Sequence, residues 1–125
     1  MKRILLVDDH QLAREALKLL LEKEGYLVEE AEDGAAGLAR IEEGHSYDLV
    51  ISDNHMPVMT GMEFIQRLSQ RSYVSTHPVI LYTGNLTPEL ERQADDLGVF
   101  AVLSKPYDFS KLLGCIREAW ENPRS

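Results

Sequence analysis

Asp8 and Asp9, Asp53, Thr83 and Lys105 are the residues of this sequence whose types could act together on a phosphoryl group. Each lies at or just beyond the end of a short apolar run. Ile4-Leu5-Leu6-Val7 leads to Asp8-Asp9, and Leu49-Val50-Ile51 leads through Ser52 to Asp53. Val79-Ile80-Leu81-Tyr82 leads to Thr83, and Val99-Phe100-Ala101-Val102-Leu103 leads to Ser104-Lys105-Pro106. Gathered at one rim, the acids would repel: two unit charges ~4 Å apart cost about 4 kcal/mol at an effective dielectric near 20. Lys105 can neutralise one carboxylate. A hard divalent cation with oxygen ligands answers for the rest, and a few carboxylates with open water positions suit Mg²⁺, with Mn²⁺ as the alternative. A metal and a lysine can share the charge of phosphoryl oxygens while a carboxylate attacks phosphorus in line. Asp53, alone at the end of a central run, is the candidate nucleophile. Asp8 and Asp9 are a pair suited to the metal. Singly, each feature has an ordinary reading: an aspartate pair caps a helix, Asp53-Asn54 and Thr83-Gly84-Asn85 make turns, and Lys105 is a solvated lysine. Their shared placement at successive strand ends carries the functional reading.

The elements that must position them follow from two kinds of pattern. The apolar runs are short and rich in β-branched residues, as expected of strands covered on both faces. Leu27 to Ala31 is more polar and reads as an edge strand. Between the runs the spacing is helical. Over about 11–24, Leu12, Ala16 and Leu20 form one apolar row and Ala13, Leu17 and Leu21 the next, with Arg14, Glu15, Lys18 and Glu22 facing away and Gly25 as the stop. A second helix is expected over about 34–43, ending at Gly44. A third opens at Thr60-Gly61-Met62-Glu63, which has capping-box spacing. A fourth starts at Thr87-Pro88 and ends near Gly98. A fifth, capped by Asp108, carries Leu112, Leu113, Ile116, Ala119 and Trp120 on one stripe. Five alternations of strand and helix predict an α/β fold: a doubly wound parallel sheet with helices on both faces and its ligand site beyond the carboxyl ends of the strands.

Composition limits the alternatives. The 125 residues suit one domain, expected over 1–121, with 122–125 a polar tail or the start of a linker. A net charge of −8 argues against direct nucleic-acid binding and against an anionic membrane surface. The one cysteine, Cys115, cannot form an internal disulfide, and no apolar run approaches the ~20 residues of a membrane span. With no signal-peptide pattern at the start, the expected location is cytoplasmic.

The motifs Leu6-Val7-Asp8-Asp9-His10, Asp53-Asn54-His55-Met56-Pro57 with Thr60-Gly61, Leu81-Tyr82-Thr83-Gly84 and Ser104-Lys105-Pro106 together resemble a receiver domain of a two-component response regulator. The resemblance runs from Lys2 to about Trp120. It implies a flavodoxin-like sheet of order 2-1-3-4-5. It implies that Asp53 accepts a phosphoryl group from a phosphohistidine of a histidine kinase or phosphotransfer protein. Asp8, Asp9, Asp53 and the His55 backbone carbonyl would hold Mg²⁺, Thr83 would turn its hydroxyl to the acyl phosphate, and Lys105 would pair with its oxygens. The Lys105-Pro106 bond would be cis. The chain would be a phosphoacceptor that dephosphorylates itself slowly, not a turnover enzyme. Its phosphorylation would change the surface around the fourth helix, fifth strand and fifth helix, which would meet a protein target or output domain; a homodimer is compatible with this. Strand 1 directly behind Met1 favours an N-terminal receiver over one from the interior of a hybrid kinase.

At one position the sequence departs from the family. Receivers usually carry an aromatic three residues before the lysine, and here that position is Val102. Phe100, two residues back on the same strand face, is either its substitute or ordinary core. His55 and Asn85 occupy places that tune acyl-phosphate lifetime in the family, and His55 reads equally as an exposed loop histidine. His10, His45 and His77 show no metal-ligand spacing; His10 lines the rim. Met56, Met59 and Met62 read as packing residues. Three other classes are testable. A flavodoxin-like cofactor binder would need a hydroxyl- and glycine-rich phosphate loop where Asp8-Asp9 stands. An aspartate-nucleophile, metal-dependent phosphatase would want a second acid where His55 stands. A pseudo-receiver binding module would not need the full acid set and Lys105.

Overall fold

The computed structural model describes residues 1–106 and 108–121. Ten elements alternate along the chain: β1 (Arg3–Val7), α1 (Gln11–Lys23), β2 (Leu27–Ala31), α2 (Gly34–Glu42), β3 (Leu49–Asp53), α3 (Gly61–Gln70), β4 (Val79–Thr83), α4 (Pro88–Asp96), β5 (Ala101–Ser104) and α5 (Phe109–Glu121). The strands form one parallel sheet in the order β2-β1-β3-β4-β5. The expected flavodoxin-like order and the edge position of β2 are both present. The polar tail expected over 122–125 lies outside the described residues.

Side-chain alternation along each strand divides the core. Leu5, Val7, Val50, Val79 and Leu81 pack under α2, α3 and α4. Ile4, Leu6, Leu49, Ile51, Ile80 and Leu103 pack under α1 and α5. Local signals set the helix ends. Thr60 accepts from Glu63 N–H while the Glu63 side chain accepts from Thr60 N–H, the reciprocal box that starts α3. Thr87 caps α4 ahead of Pro88, and Asp108 accepts from the Ser110 backbone N–H at the start of α5.

Two expectations need correction. The apolar run at 99–103 is not all strand: Val99 closes α4 by donating to Ala94 O, and β5 begins at Ala101. Burial of Val99 (3% exposed) in a loop made it resemble a strand residue. On α1 only the Leu17/Leu21 row is buried; Leu12 is 84% and Leu20 41% exposed. The helix is turned so that Arg14, expected in solvent, lies over the edge strand. Its Nε donates to Glu30 Oε1 at 2.9 Å and its Nη1 to Asp8 O at 2.7 Å. A charged edge strand offers a guanidinium more than it offers a leucine.

Candidate functional site

Parallel register brings the carboxyl ends of β1, β3, β4 and β5 to one rim. Asp53 is the last residue of β3 and pairs with Tyr82 of β4, while Thr83 pairs with Ser104. Asp8, Asp53, Thr83 and Ser52 are the buried polar residues of the described chain. Asp53 Oδ1 accepts from Asn54 N–H at 2.8 Å and lies 3.3 Å from Lys105 Nζ. Its Oδ2 is buried and has no hydrogen-bond partner, and the same is true of Asp9 Oδ1. Ligand atoms of Asp8, Asp9, His10 and Asp53 all lie within 4.8 Å of one another. Burial, above all, raises the Asp53 pKa above the ordinary carboxylate value; Lys105 opposes this and the Asp8 charge adds to it. Buried oxygens without donors beside further carboxylates are the donor set of a hard cation, so the residues present fit a divalent metal.

The backbone around the pocket is tightly tied. Ser52 Oγ donates to Asp53 O at 2.9 Å. Asn54 holds the start of α3 on the strand end: its backbone oxygen accepts from Gly61 N–H at 2.9 Å and its Oδ1 from Met62 N–H at 3.0 Å. A Cβ at position 61 would stand 2.8 Å from Asn54 Cα and closer still to Asp53 O, so only glycine allows this approach. Lys105 N–H donates to Thr83 O at 2.7 Å, and the Lys105-Pro106 peptide is cis. Thr83 Oγ1 accepts from Asn85 N–H at 3.1 Å.

The fold thus brings together Asp8, Asp9, Asp53 and Lys105, with Thr83 on the neighbouring strand end. His55 and Asn85 are exposed on the loops leaving β3 and β4. Val102 is half-buried against the α4-side core. Phe100 precedes β5 rather than lying in it. It is half-buried, so it is neither regular strand nor full core, and it shares a surface groove with Val102, Pro88 and Arg92.

Three residues belong to the pocket that sequence reasoning set aside. His10 is the first: its Nδ1 lies 3.3 Å from Asp8 Oδ1 and 3.2 Å from Asp9 Oδ1, so it does more than line the rim. The Tyr82 hydroxyl donates to Asp8 Oδ2 at 2.5 Å, and its ring lies under Lys105 Nζ, 4.7 Å from the centroid. Arg14 braces the Asp8 carbonyl. A signal for Tyr82 was present: a phenol next to the end of a buried strand needs a polar partner. No linear signal pointed to Arg14.

The response regulator receiver domain family matches residues 4–117. The sensory/regulatory protein RpfC of Xanthomonas campestris is 36% identical over 118 residues, 93% of this chain but 16% of that protein. The chain spans about half or less of the length of the curated relatives it matches. Among solved structures, the chemotaxis protein CheY4 of Vibrio cholerae superposes with a TM-score of 0.86 at 33% identity, covering 94% of this chain and 98% of that one. The response regulator TrrA of Thermotoga maritima, solved in complex with Mg²⁺-BeF, superposes with a TM-score of 0.83 at 31% identity over 94% of this chain and 98% of that one. A parallel sheet of order 2-1-3-4-5, an acidic pocket at the carboxyl ends of its strands and a family match over nearly the whole chain agree: this protein belongs to the response regulator receiver domains of two-component signalling.

Proposed function

We propose that this receiver is a phosphorylation-dependent switch whose phosphoacceptor is Asp53 and whose donor is a phosphohistidine on a histidine kinase or phosphotransfer protein. The observation that carries the reading is the buried Asp53 carboxylate, with one oxygen unpartnered, among Asp8, Asp9 and Lys105. Asp8, Asp9, Asp53 and the His55 carbonyl would hold Mg²⁺, which when bound supplies charge to the phosphoryl oxygens. An Asp53 oxygen attacks phosphorus in line; the phosphorus–nitrogen bond breaks and the departing imidazole keeps the electron pair. Lys105 Nζ, already beside Asp53, takes a phosphoryl oxygen. Thr83 donates its hydroxyl to the acyl phosphate. The Thr83-Gly84-Asn85 loop follows, and the change reaches the surface of α4, β5 and α5, where a target or output domain binds. With Val102 in place of an aromatic, the groove shared with Phe100 is where that switch would be read.

A protein donor is supported by α1. Leu12 (84%), Leu19 (62%) and Leu20 (41%) expose an apolar strip on the helix that leaves the pocket. Among the described residues no helix is long and apolar enough to cross a membrane. Incubation with beryllofluoride and Mg²⁺, or with acetyl phosphate and Mg²⁺, should give a stoichiometric adduct on the parent and none on Asp53→Ala. A parent without adduct would sink the mechanism, and steady turnover of phosphomonoesters would mark a phosphatase instead. Replacing His55 or Asn85 should alter the dephosphorylation rate more than the phosphorylation rate.

A further inference from the structure

His10 adds a nitrogen to a cluster that otherwise offers only oxygen. Its Nδ1 lies 3.2 Å from Asp9 Oδ1, 3.3 Å from Asp8 Oδ1 and 3.7 Å from Asp53 Oδ2. Four ligands about 2.1 Å from a tetrahedral ion stand roughly 3.4 Å apart. The three nitrogen–oxygen separations fall near three of the six edges of such a tetrahedron, and the four ligand atoms together lie within 4.8 Å, so separations near that limit shorten as the ion binds. Two of the oxygens, Asp9 Oδ1 and Asp53 Oδ2, are buried and accept no hydrogen bond, and the Asp53 side chain is only 1% exposed. The imidazole itself is 63% exposed at the mouth of the pocket, so an ion reaches it directly from solvent. Its backbone N–H donates to Asp8 Oδ1 at 2.9 Å, which keeps ring and carboxylates together. Mg²⁺ prefers oxygen ligands in an octahedron and retains water, so it gains little from an imidazole. Zn²⁺ takes imidazole and carboxylate ligands together in four-coordinate sites.

We propose that His10 makes the acidic pocket a selective site for a borderline divalent cation of the Zn²⁺ type, held by His10 Nδ1 with Asp8, Asp9 and Asp53. Coordination through Nδ1 takes the neutral ring with its proton on Nε2, so a neutral ring moves its proton to Nε2 and an imidazolium gives its Nδ1 proton to solvent. Zn²⁺ and Mg²⁺ then compete for the same carboxylates. The inference rests on reading the pocket as a divalent-cation site. Calorimetric titration of the parent and of His10→Asn with ZnCl₂ and with MgCl₂ tests it, with Co²⁺ absorption reporting geometry. His10→Asn should bind Zn²⁺ at least tenfold more weakly, keep its Mg²⁺ affinity within twofold, and lose the intense visible bands of tetrahedral Co²⁺. Equal Zn²⁺ affinity in both proteins, or a parallel fall in Mg²⁺ affinity, would overturn the proposal. Loss of Zn²⁺ binding in the variant, with no Mg²⁺-dependent beryllofluoride adduct on either protein, would support the zinc site and remove the phosphoacceptor reading.

Discussion

Asp48 and Asp53 flank the same strand, β3, and the fold treats them oppositely. At the entrance, Asp48 ties elements together through one carboxylate oxygen and its backbone. Its Oδ2 accepts from Arg3 N–H at 2.8 Å, its N–H donates to Arg3 O at 2.7 Å, and its carbonyl accepts from Trp120 Nε1 at 3.1 Å. These bonds tie β1, β3 and α5 together at one end of the sheet. At the exit, Asp53 is more deeply buried yet keeps an oxygen with no hydrogen-bond partner, and its neighbours are two more carboxylates and a lysine. Burial without satisfaction costs stability. In the proposed reading that oxygen is the acceptor left for a cation and a phosphoryl group, at the end of β3 where the strands release their chains into loops.

The contrast can be broken most strongly at Gly61. Gly61→Ala forces a Cβ against Asp53 O and Asn54 Cα, and should lower stability by about 3 kcal/mol in denaturant unfolding while weakening beryllofluoride capture. Next is Tyr82→Phe. Asp8, 2% exposed, loses the phenol that orients it, and Mg²⁺ affinity measured by calorimetry should fall about tenfold with the fold intact. Asp48→Ala should cost about 1 kcal/mol and leave adduct formation unchanged, separating the entrance from the exit. The smallest effect sharpens the comparison through pH. Burial holds Asp53 above the ordinary carboxylate range, so from pH ~4 up through its raised pKa Asp53 is more protonated in the folded chain than in the unfolded one, and its own contribution is read against Asp53→Asn. Metal-free stability should therefore fall as pH rises from that point through the raised pKa. Asp53→Asn should flatten this part of the profile and be more stable than the parent at pH 7, by up to about 1 kcal/mol.

Much of this was legible in the residues. Continuous apolar runs at 4–7, 49–51 and 79–82, short and rich in β-branched residues, read as strands covered on both faces, and Thr60 with Glu63, or Thr87 with Pro88, carry their capping chemistry within a few positions. Those signals are local, so they survive without coordinates. Expectation and structure part where the packing of the whole fold, not local spacing, decides which apolar residues are buried. Val99 is apolar because it packs as a loop, and Leu12 and Leu20 repeat at helical spacing without facing the core.

Sequence by itself determined the alternation of elements and, by placing acids, a hydroxyl and a lysine just after strands, the rim on which chemistry would occur. Tertiary structure alone decided that Tyr82 would hold Asp8, that Arg14 would brace the Asp8 carbonyl from α1, and that His10 would turn its Nδ1 into the acids. The reason is physical. Element formation depends on neighbours a few residues away, whereas a hydrogen bond between residues 8 and 82 depends on parallel register and helix rotation, which the whole core settles together.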